Sequence, residues 1–292
     1  MRGTREIGGG RRVAVRRQVA LIYCSHPKKP ELDIHLATSA NQFFVLNPVS
    51  RSVLDHLLEF NKEFGDNPYL RPHVFTTDVF SLVKNYSPLP LDARKTILRE
   101  VCPGLRDMHA RNWVHLGMLD NVFANWHIDR RGQFHLHKVA LGDFDVALKL
   151  EDGKLFNHRI GNVMWRSPEG QLGKGVGKHS EVFSFGLLCF YVTTGVEWLH
   201  PDFETLEAVP VLVTLYKLLS PFGPLPHALV KHVKGAKSEE LLKALWEAVA
   251  EDETNETFDT PSVFRMTNLD PVKRVSMSEI MADPYWNLED VD

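Results

Sequence analysis

The run of residues 180–195, SEVFSFGLLCFYVTTG, constrains the fold more than any other stretch, because as a helix it is apolar on almost every side. A helix that is hydrophobic all round has to be buried. It must therefore lie at the centre of a domain, with other elements packed around it. The chain has 292 residues, of which 43% are hydrophobic and 24% charged, so it is long enough to build that surrounding shell.

The charge balance and the cysteines exclude several classes of protein. The formal net charge of −3 argues against a general nucleic-acid binder or a membrane-surface binder. Cys24, Cys102 and Cys189 are too scattered for a disulfide framework or a zinc site, which favours a reducing intracellular compartment. The Arg-rich residues 1–24 fit either an organelle transit peptide or a basic strand, and the alternation of Val and Ala favours the strand.

The first part of the chain predicts strands followed by one helix. Residues 11–23 alternate apolar and basic side chains, and residues 41–46, NQFFVL, are typical of a second strand. Ser50 is a suitable N-cap for a helix over 51–64, whose apolar residues recur at helical spacing. Prolines and charges predict a loop over 24–33.

The second part of the chain predicts mainly helices. Residues 91–110 carry a single apolar stripe, interrupted by Pro103, which should kink that helix or reduce its stability. Two strand-like runs, 122–128 and 133–141, flank a good hairpin turn at 129–132. Further helices are predicted for 203–219, 238–250 and 276–282, a short one beginning at Thr76 or Thr77, and a turn for 221–224.

The stretch 141–169 carries the most informative motifs. It opens with Gly142-Asp143-Phe144-Asp145 and closes with Ser167-Pro168-Glu169. It resembles the activation segment of a eukaryotic protein kinase, where these motifs usually read Asp-Phe-Gly and Ala-Pro-Glu. The order of the surrounding elements is similar too, and GNVMWRSPEG with SFGL resembles a group of fungal kinase-like proteins.

This resemblance implies an α+β, bilobal fold with a reduced, strand-bearing N-lobe over 1–75 and a mainly helical C-lobe over 76–292. It also implies ATP and Mg²⁺ as cofactors if the site is functional. Asp143 matches the metal-binding acid of the family, and Asn121 matches the asparagine that supplies a second metal ligand. Asp145 stands in place of the glycine, which should make that turn more restricted.

The catalytic loop and the elements that would bind the nucleotide depart from the family pattern. His115, which we interpret as a packed structural histidine, stands six positions before Asn121 rather than seven, and the Asp that serves as catalytic base is missing. Asp120 is the only nearby carboxylate in sequence. The position of the nucleotide-binding Lys holds Asn47, so a helix acid at Glu59 or Glu63 would lack its partner. Two other features do not fit the nucleotide-binding elements. Gly8-Gly9-Gly10 lacks the required spacing, and a variant of the lysine motif at 13–16 leaves too few residues ahead of it for two strands.

Several structural residues of the family are retained. Glu169 is predicted to pair with Arg274, and Glu181 replaces an Asp that braces the catalytic loop in the family. Between Phe144 and Arg166 there is no Ser, Thr or Tyr, so phosphorylation cannot order this segment.

We therefore expect a protein kinase-like chain that is catalytically impaired and acts as an intracellular binding or regulatory module, monomeric, with a protein partner and no nucleic acid or membrane. The alternative is an active Ser/Thr protein kinase that transfers phosphate from ATP to a protein substrate, with Mg²⁺ held by Asn121 and Asp143. A third hypothesis, a small-molecule phosphotransferase of related fold, is disfavoured by Ser167-Pro168-Glu169 and Arg274.

Overall fold

The fold is seen in a computed structural model. It describes residues 5–6, 12–13, 21–24, 34–39, 42–46, 48–70, 77–118, 121–197, 199, 209–252 and 265–287, of which the ranges before residue 48 are described by their strand pairing.

The strands come mostly first and the helices later, as in an α+β fold. The strands are β1 (Arg5–Glu6), β2 (Arg12–Val13), β3 (Leu21–Cys24), β4 (Ile34–Ser39), β5 (Gln42–Leu46), β6 (Thr77–Asp78), β7 (Trp113–Val114), β8 (Val122–Ile128), β9 (Phe134–Leu141) and β10 (Leu148–Lys149). The helices are α1 (Arg51–Phe64), α2 (Val79–Tyr86), α3 (Leu91–Ala110), α4 (Pro168–Leu172), α5 (Lys178–Thr194), α6 (Pro210–Phe222), α7 (His227–Val233), α8 (Ala236–Glu251) and α9 (Met277–Met281).

The strands form small antiparallel sheets. β3, β4 and β5 are consecutive neighbours in one sheet, and β6, β8 and β9 form another, in which the β8–β9 hairpin is the longest pairing. β1 pairs with β2, and β7 pairs with β10, which lies in the segment after the hairpin. The β7–β10 pairing therefore ties that later segment to the loop that follows α3.

The centre of the helical part is α5, as its composition predicts. Three of its aromatic side chains, Phe183, Phe185 and Tyr191, are at most 1% exposed. α3 packs against it and against β9, and its stripe from Ile97 to Met108 is buried. This core fixes the ends of α3, α5 and the hairpin in relation to one another, and those ends carry the candidate site.

Most predicted helices are confirmed, and their ends follow local chemistry. α1 has the predicted bounds, and the Ser50 hydroxyl accepts a hydrogen bond from the Val53 N–H. The short helix begins after Asp78, whose carboxylate caps it, rather than at Thr77, which belongs to β6. α3 runs through Pro103 without ending there, since that proline is itself buried in the core.

Two features differ from the prediction. The expected turn at 221–224 is wrong at its start, because Pro221 and Phe222 form the last turn of α6, where both are buried, and the chain turns at Gly223. β4 lies between the two predicted strands and was not predicted. Residues 203–208 of the predicted helix 203–219 lie outside the described residues, as does Thr76.

Candidate functional site

The β8–β9 hairpin brings Asn121 and Asp143 together. Asn121 immediately precedes β8, and Asp143 follows β9 after Gly142. Val122 pairs with Leu141, and the Gly142 N–H donates to the Asn121 carbonyl at 3.0 Å. The antiparallel register therefore places the two predicted metal residues at the same end of one hairpin, although 22 positions separate them in the sequence.

Asp143 has an unusual backbone conformation. Its φ is +57°, in the left-handed region that non-glycine residues rarely occupy. Such strain persists only where the surroundings impose it, and it is concentrated at functional sites. The replacement of a glycine by Asp145 predicts a restricted turn there, but Asp145 is not among the described residues with positive φ. The strained residue is the acid itself.

The residue next to Asp143, Phe144, is packed in the core. Phe144 is 5% exposed, and its ring stacks on Phe60 of α1 with a centroid distance of 4.3 Å. On its other side it meets His115 at 5.2 Å, edge to face. With Phe144 held in the core between these rings, the neighbouring Asp143 is directed to the exposed side of the chain.

The carboxyl of Asp143 has altered acidity. Although the residue as a whole is exposed, its carboxyl is partly shielded from water. This burial, followed by the charge of Asp145 and a hydrogen bond with it, raises the pKa of Asp143 to about 6. Without a cation, the Asp143 carboxyl therefore keeps its proton to a higher pH than an ordinary aspartate does.

This raised pKa gives a prediction about stability. The ordinary pKa of the group is 3.8 and the folded value is about 6, so the stabilisation is complete below the ordinary value and is lost as the pH rises through 6. Asp143→Asn removes the charge, so in EDTA we expect the variant to have a higher melting temperature than the wild type above pH 6, with a difference that shrinks towards pH 4.

Thermal unfolding across this pH range measures the difference. Asp66→Asn, at an exposed position just after α1, is the matched control and should follow the wild type. Parallel pH profiles for the wild type and Asp143→Asn would contradict the assignment of the raised pKa to this carboxyl.

His115 is the packed structural histidine that the sequence analysis predicts. It is fully buried, and burial, the largest influence, lowers its pKa and keeps the ring neutral. Nε2 donates to the Gly142 carbonyl at 2.8 Å, and Nδ1 accepts from the Gly117 N–H at 3.3 Å. These two bonds define one tautomer of the ring. They also join the loop that begins at His115, called the catalytic-type loop below, to the chain beside Asp143.

Glu181 of α5 braces the same loop. Its Oε1 accepts the N–H groups of His115 and Leu116 at 2.7 and 2.8 Å, and its Oε2 accepts from His109 Nε2 at 2.8 Å. Burial raises the pKa of Glu181, but its hydrogen bond to His109 and the charge of that ring outweigh this and leave the pKa lowered. The longer Glu side chain thus reaches three donors at once.

Gly117, in the described part of this loop, contributes only backbone atoms to the site. The Asn121 side chain donates from Nδ2 to the Gly117 carbonyl at 2.8 Å, so Gly117 lies beside the candidate metal ligands. A Cβ at Gly117 would come within 3.1 Å of Val146. Asp120, the nearby carboxylate in sequence, lies outside the described residues.

Glu63, a candidate for the helix acid, is held by residues of β7 and β10. Asn47, Gly8-Gly9-Gly10 and Arg16 lie outside the described side chains. Glu63 binds a lysine from a different part of the chain: its Oε1 contacts Lys149 Nζ of β10, and its Oε2 accepts from Trp113 Nε1 at 3.1 Å. These contacts, led by the Lys149 hydrogen bond, lower the pKa of Glu63.

The segment after Asp143 is held by contacts that need no phosphate. The Asn112 carbonyl accepts the Leu150 N–H at 2.7 Å, while its side chain bonds Asp152 and Lys178. Further along, Phe156 and Val176 exchange backbone hydrogen bonds at 2.8 Å. These contacts account for an ordered segment that contains no Ser, Thr or Tyr between Phe144 and Arg166.

The predicted pairing of Glu169 with Arg274 is present and bidentate. Arg274 Nη1 and Nη2 lie 2.6 and 3.0 Å from the two carboxylate oxygens, and both side chains are completely buried. The Ser180 hydroxyl adds a bond of 2.7 Å to Glu169. Burial raises the pKa of Glu169, but the charge and hydrogen bonds of Arg274 outweigh it and lower the pKa to about 2.

The fold, the strained acid beside an asparagine and the buried Glu–Arg pair define the class of a protein kinase-like domain. The protein kinase domain model matches residues 56–286. Because the match covers well over half of the chain, the chain belongs to the protein kinase domain family.

Individual relatives are distant. Over 164 residues the chain is 28% identical to the serine/threonine-protein kinase Pkn1 of Myxococcus xanthus, covering 54% of this chain and 22% of that protein. It is 26% identical over 204 residues to pkn2 of the same organism, covering 66% and 23%. It is 22% identical over 239 residues to mitogen-activated protein kinase 7 of Arabidopsis thaliana, covering 79% and 61%. The chain thus spans less than two thirds of the length of each of these proteins.

A search of the helices among the described residues finds none that combines the length and the apolar character needed to cross a membrane.

Proposed function

We propose that this chain is a protein kinase domain whose phosphoryl transfer is impaired and which acts as a binding or regulatory module for a protein partner. The observation that carries the proposal is Gly117. It lies next to Asn121 in the loop that Glu181 braces, and it has no side chain to accept a proton from a substrate hydroxyl. A positioned base typically contributes about 10²–10⁴-fold to such a reaction.

The residues that remain fit a magnesium ion by their donor chemistry. Mg²⁺ prefers oxygen ligands, and Asp143, an exposed residue with a partly shielded carboxyl, offers a carboxylate. Asn121 donates from Nδ2 to Gly117, which leaves its Oδ1 available on the other side of the amide. If bound, Mg²⁺ would neutralise the negative charge of ATP phosphates. Asp143 and Asn121 would hold and orient it, while Phe144 and His115 keep Asp143 in place.

The alternative is an active protein Ser/Thr kinase that uses ATP and Mg²⁺, and the side-by-side placement of Asn121 and Asp143 favours it. Three of its relatives are named as protein kinases, two of them serine/threonine-protein kinases. The two proposals share the metal residues and differ only in the transfer step. The division into lobes at residue 75, the intracellular location and the monomeric state belong to both proposals.

Phosphate incorporation from labelled ATP distinguishes the two. The wild type, Asp143→Asn and Asn121→Ala are incubated with Mg²⁺ and a generic protein substrate. We expect wild-type incorporation to be no greater than that of either variant. Incorporation by the wild type that both substitutions abolish would establish the active kinase instead.

A thermal-shift measurement with ATP, with and without Mg²⁺, tests the binding step separately. A Mg²⁺-dependent stabilisation that Asp143→Asn removes would show that the nucleotide site still binds, even where no phosphate is transferred. Asp66→Asn again serves as the control, since its position is exposed and lies outside the candidate site.

A further inference from the structure

Three histidines lie close together at the far end of the β8–β9 hairpin. His127 is directly opposite His135 in the register, and His137 is two residues further along the same strand as His135. The His127 ring lies within 5 Å of both other rings, with centroid distances of 4.9 Å to His135 and 4.7 Å to His137. None of these residues has a part in the candidate phosphoryl-transfer site.

His127 and His137 point their ring nitrogens at each other. Nδ1 of His127 and Nε2 of His137 are 2.6 Å apart, while the ring planes differ by only 4°. With centroids 4.7 Å apart, so short an N–N distance means that the rings meet edge to edge rather than face to face. One nitrogen donates a proton and the other accepts it. Both nitrogens therefore direct their bonding orbitals into the same small space between the rings.

Such a pair of nitrogens suits a borderline transition metal. Neutral imidazole is the commonest protein ligand for zinc, copper and nickel, and both residues are exposed, so a cation can reach them. Zinc–nitrogen bonds of ~2.0–2.1 Å with tetrahedral angles put the two nitrogens ~3.3 Å apart. The rings need to separate by less than 1 Å from their hydrogen-bonded positions.

The third histidine is engaged elsewhere. His135 Nε2 lies 3.2 Å from Asp129 Oδ2, and its ring stacks on His127 at an interplanar angle of 18° rather than aiming a nitrogen at the pair. Asp129 Oδ1 already accepts the N–H groups of Arg131 and Gln133 in the turn. Accordingly, no group of three His, Cys, Asp or Glu in the described part of the chain could hold a metal ion.

We propose that His127 and His137 form a two-histidine site for a divalent transition metal of the zinc class, with water completing the coordination. The metal takes the place of the proton between the two rings, and the ring that donated that proton carries it on its other nitrogen instead. The site is independent of the proposed function, because it uses neither Asn121 nor Asp143.

The position of this site connects it to the rest of the molecule. Its strands are the ones whose opposite ends carry Asn121 and Asp143, and Val122 lies five residues before His127 on β8, which is about 17 Å along a strand. A metal that joins the two strands at the far end would restrain the separation and register of the hairpin there. Slower amide hydrogen exchange in β8 and β9 would report that restraint.

Calorimetric titration of Zn²⁺ into the full chain at neutral pH tests the site, after treatment with EDTA and buffer exchange. We expect one equivalent to bind to the wild type. Loss even of a residue that only supports a metal ligand costs ~10–100-fold in affinity, so His127→Gln and His137→Gln should each lose at least about tenfold. The double variant should bind Zn²⁺ about as weakly as the weaker single variant. Removal of the first histidine already destroys the two-histidine site, so removal of the second should add little.

Two other histidines provide controls. His227→Gln, at an exposed position at the start of α7, should leave the affinity unchanged. His135→Gln should have a smaller effect than either substitution of the pair, because its ring nitrogen faces Asp129. Absence of Zn²⁺ binding to the wild type, or full affinity in both His127→Gln and His137→Gln while their melting temperatures without metal match the wild type, would overturn the proposal.

Discussion

Replacing Glu169 with alanine should lower the free energy of unfolding by about 3–5 kcal/mol, because it leaves the buried guanidinium of Arg274 without its ion-pair partner. Arg274 has no exposed side-chain surface, and only carbonyl oxygens of the backbone would remain to accept its hydrogen bonds. Arg274→Ala should cost a similar amount. Chemical denaturation followed by circular dichroism measures both.

The double variant gives the sharper result. Glu169→Ala with Arg274→Ala removes both charges, so its cost should be less than the sum of the two single costs. Strict additivity would contradict the ion pair. Lys243→Ala is the control: its pair with Glu239 is one turn apart on α8, and both side chains are about half exposed, so the loss should be about 0.3–0.5 kcal/mol.

The acidity of Glu169 sets the pH range of this stabilisation. Its pKa falls from the ordinary 4.5 to about 2, so the contribution is present above the ordinary value and is lost as the pH falls towards 2. At neutral pH the pair is fully charged, and its effect is undiminished. The pair fixes α4, at the end of the segment that begins with Asp143, to the chain before α9, and this stabilises the helical part.

The sequence predicts the helical part well because its signals are local. α1 and α3 have their predicted bounds, since each carries an apolar stripe and is bounded by residues that limit a helix, Ser50 and Gly65 for α1 and Pro90 for α3. The hairpin follows from the turn at 129–132. The Glu169–Arg274 pair is different: 105 residues separate its members, and it was predictable only because the family resemblance identified both of them.

Contacts without a motif could not be predicted. Lys149 and Glu63 are 86 residues apart and are ordinary surface-type charges in sequence, so nothing marked them as partners. Asn112 gave no signal either, although it joins Asp152 and Lys178. The spacing between His115 and Asn121 predicts that the usual base is missing, which stays a prediction, and only the hydrogen bond from Asn121 places Gly117 beside the site.

The histidine pair shows the same limit. Residues 127–137, HIDRRGQFHLH, are predicted as strand, turn and strand, and alternation alone puts His135 and His137 on one face. Whether His127 shares that face depends on the register. The register shifts between Asn125 and Trp126, and an irregularity of this kind changes which side chains oppose one another.

Among the contacts that hold the catalytic-type loop, those of Glu181 in α5 should be the most sensitive to substitution. Glu181→Ala leaves two backbone N–H groups and the His109 ring without an acceptor, and each unsatisfied buried donor costs about 1–3 kcal/mol. We expect a loss of at least about 3 kcal/mol in the free energy of unfolding. Glu247→Ala, on the exposed face of α8, should change it by less than about 0.5 kcal/mol.

Two conservative variants separate length from charge. Glu181→Gln keeps a carbonyl oxygen that can accept the N–H groups of His115 and Leu116, so its cost should be smaller than that of alanine. Glu181→Asp keeps the charge but withdraws the carboxylate by one methylene, so it cannot reach His109 and both N–H groups together, and its cost should fall between the two. If Glu181→Asp proved as stable as the wild type, the shortened loop would not depend on the longer side chain, and its geometry would have to be fixed by His115 and Asn121 instead.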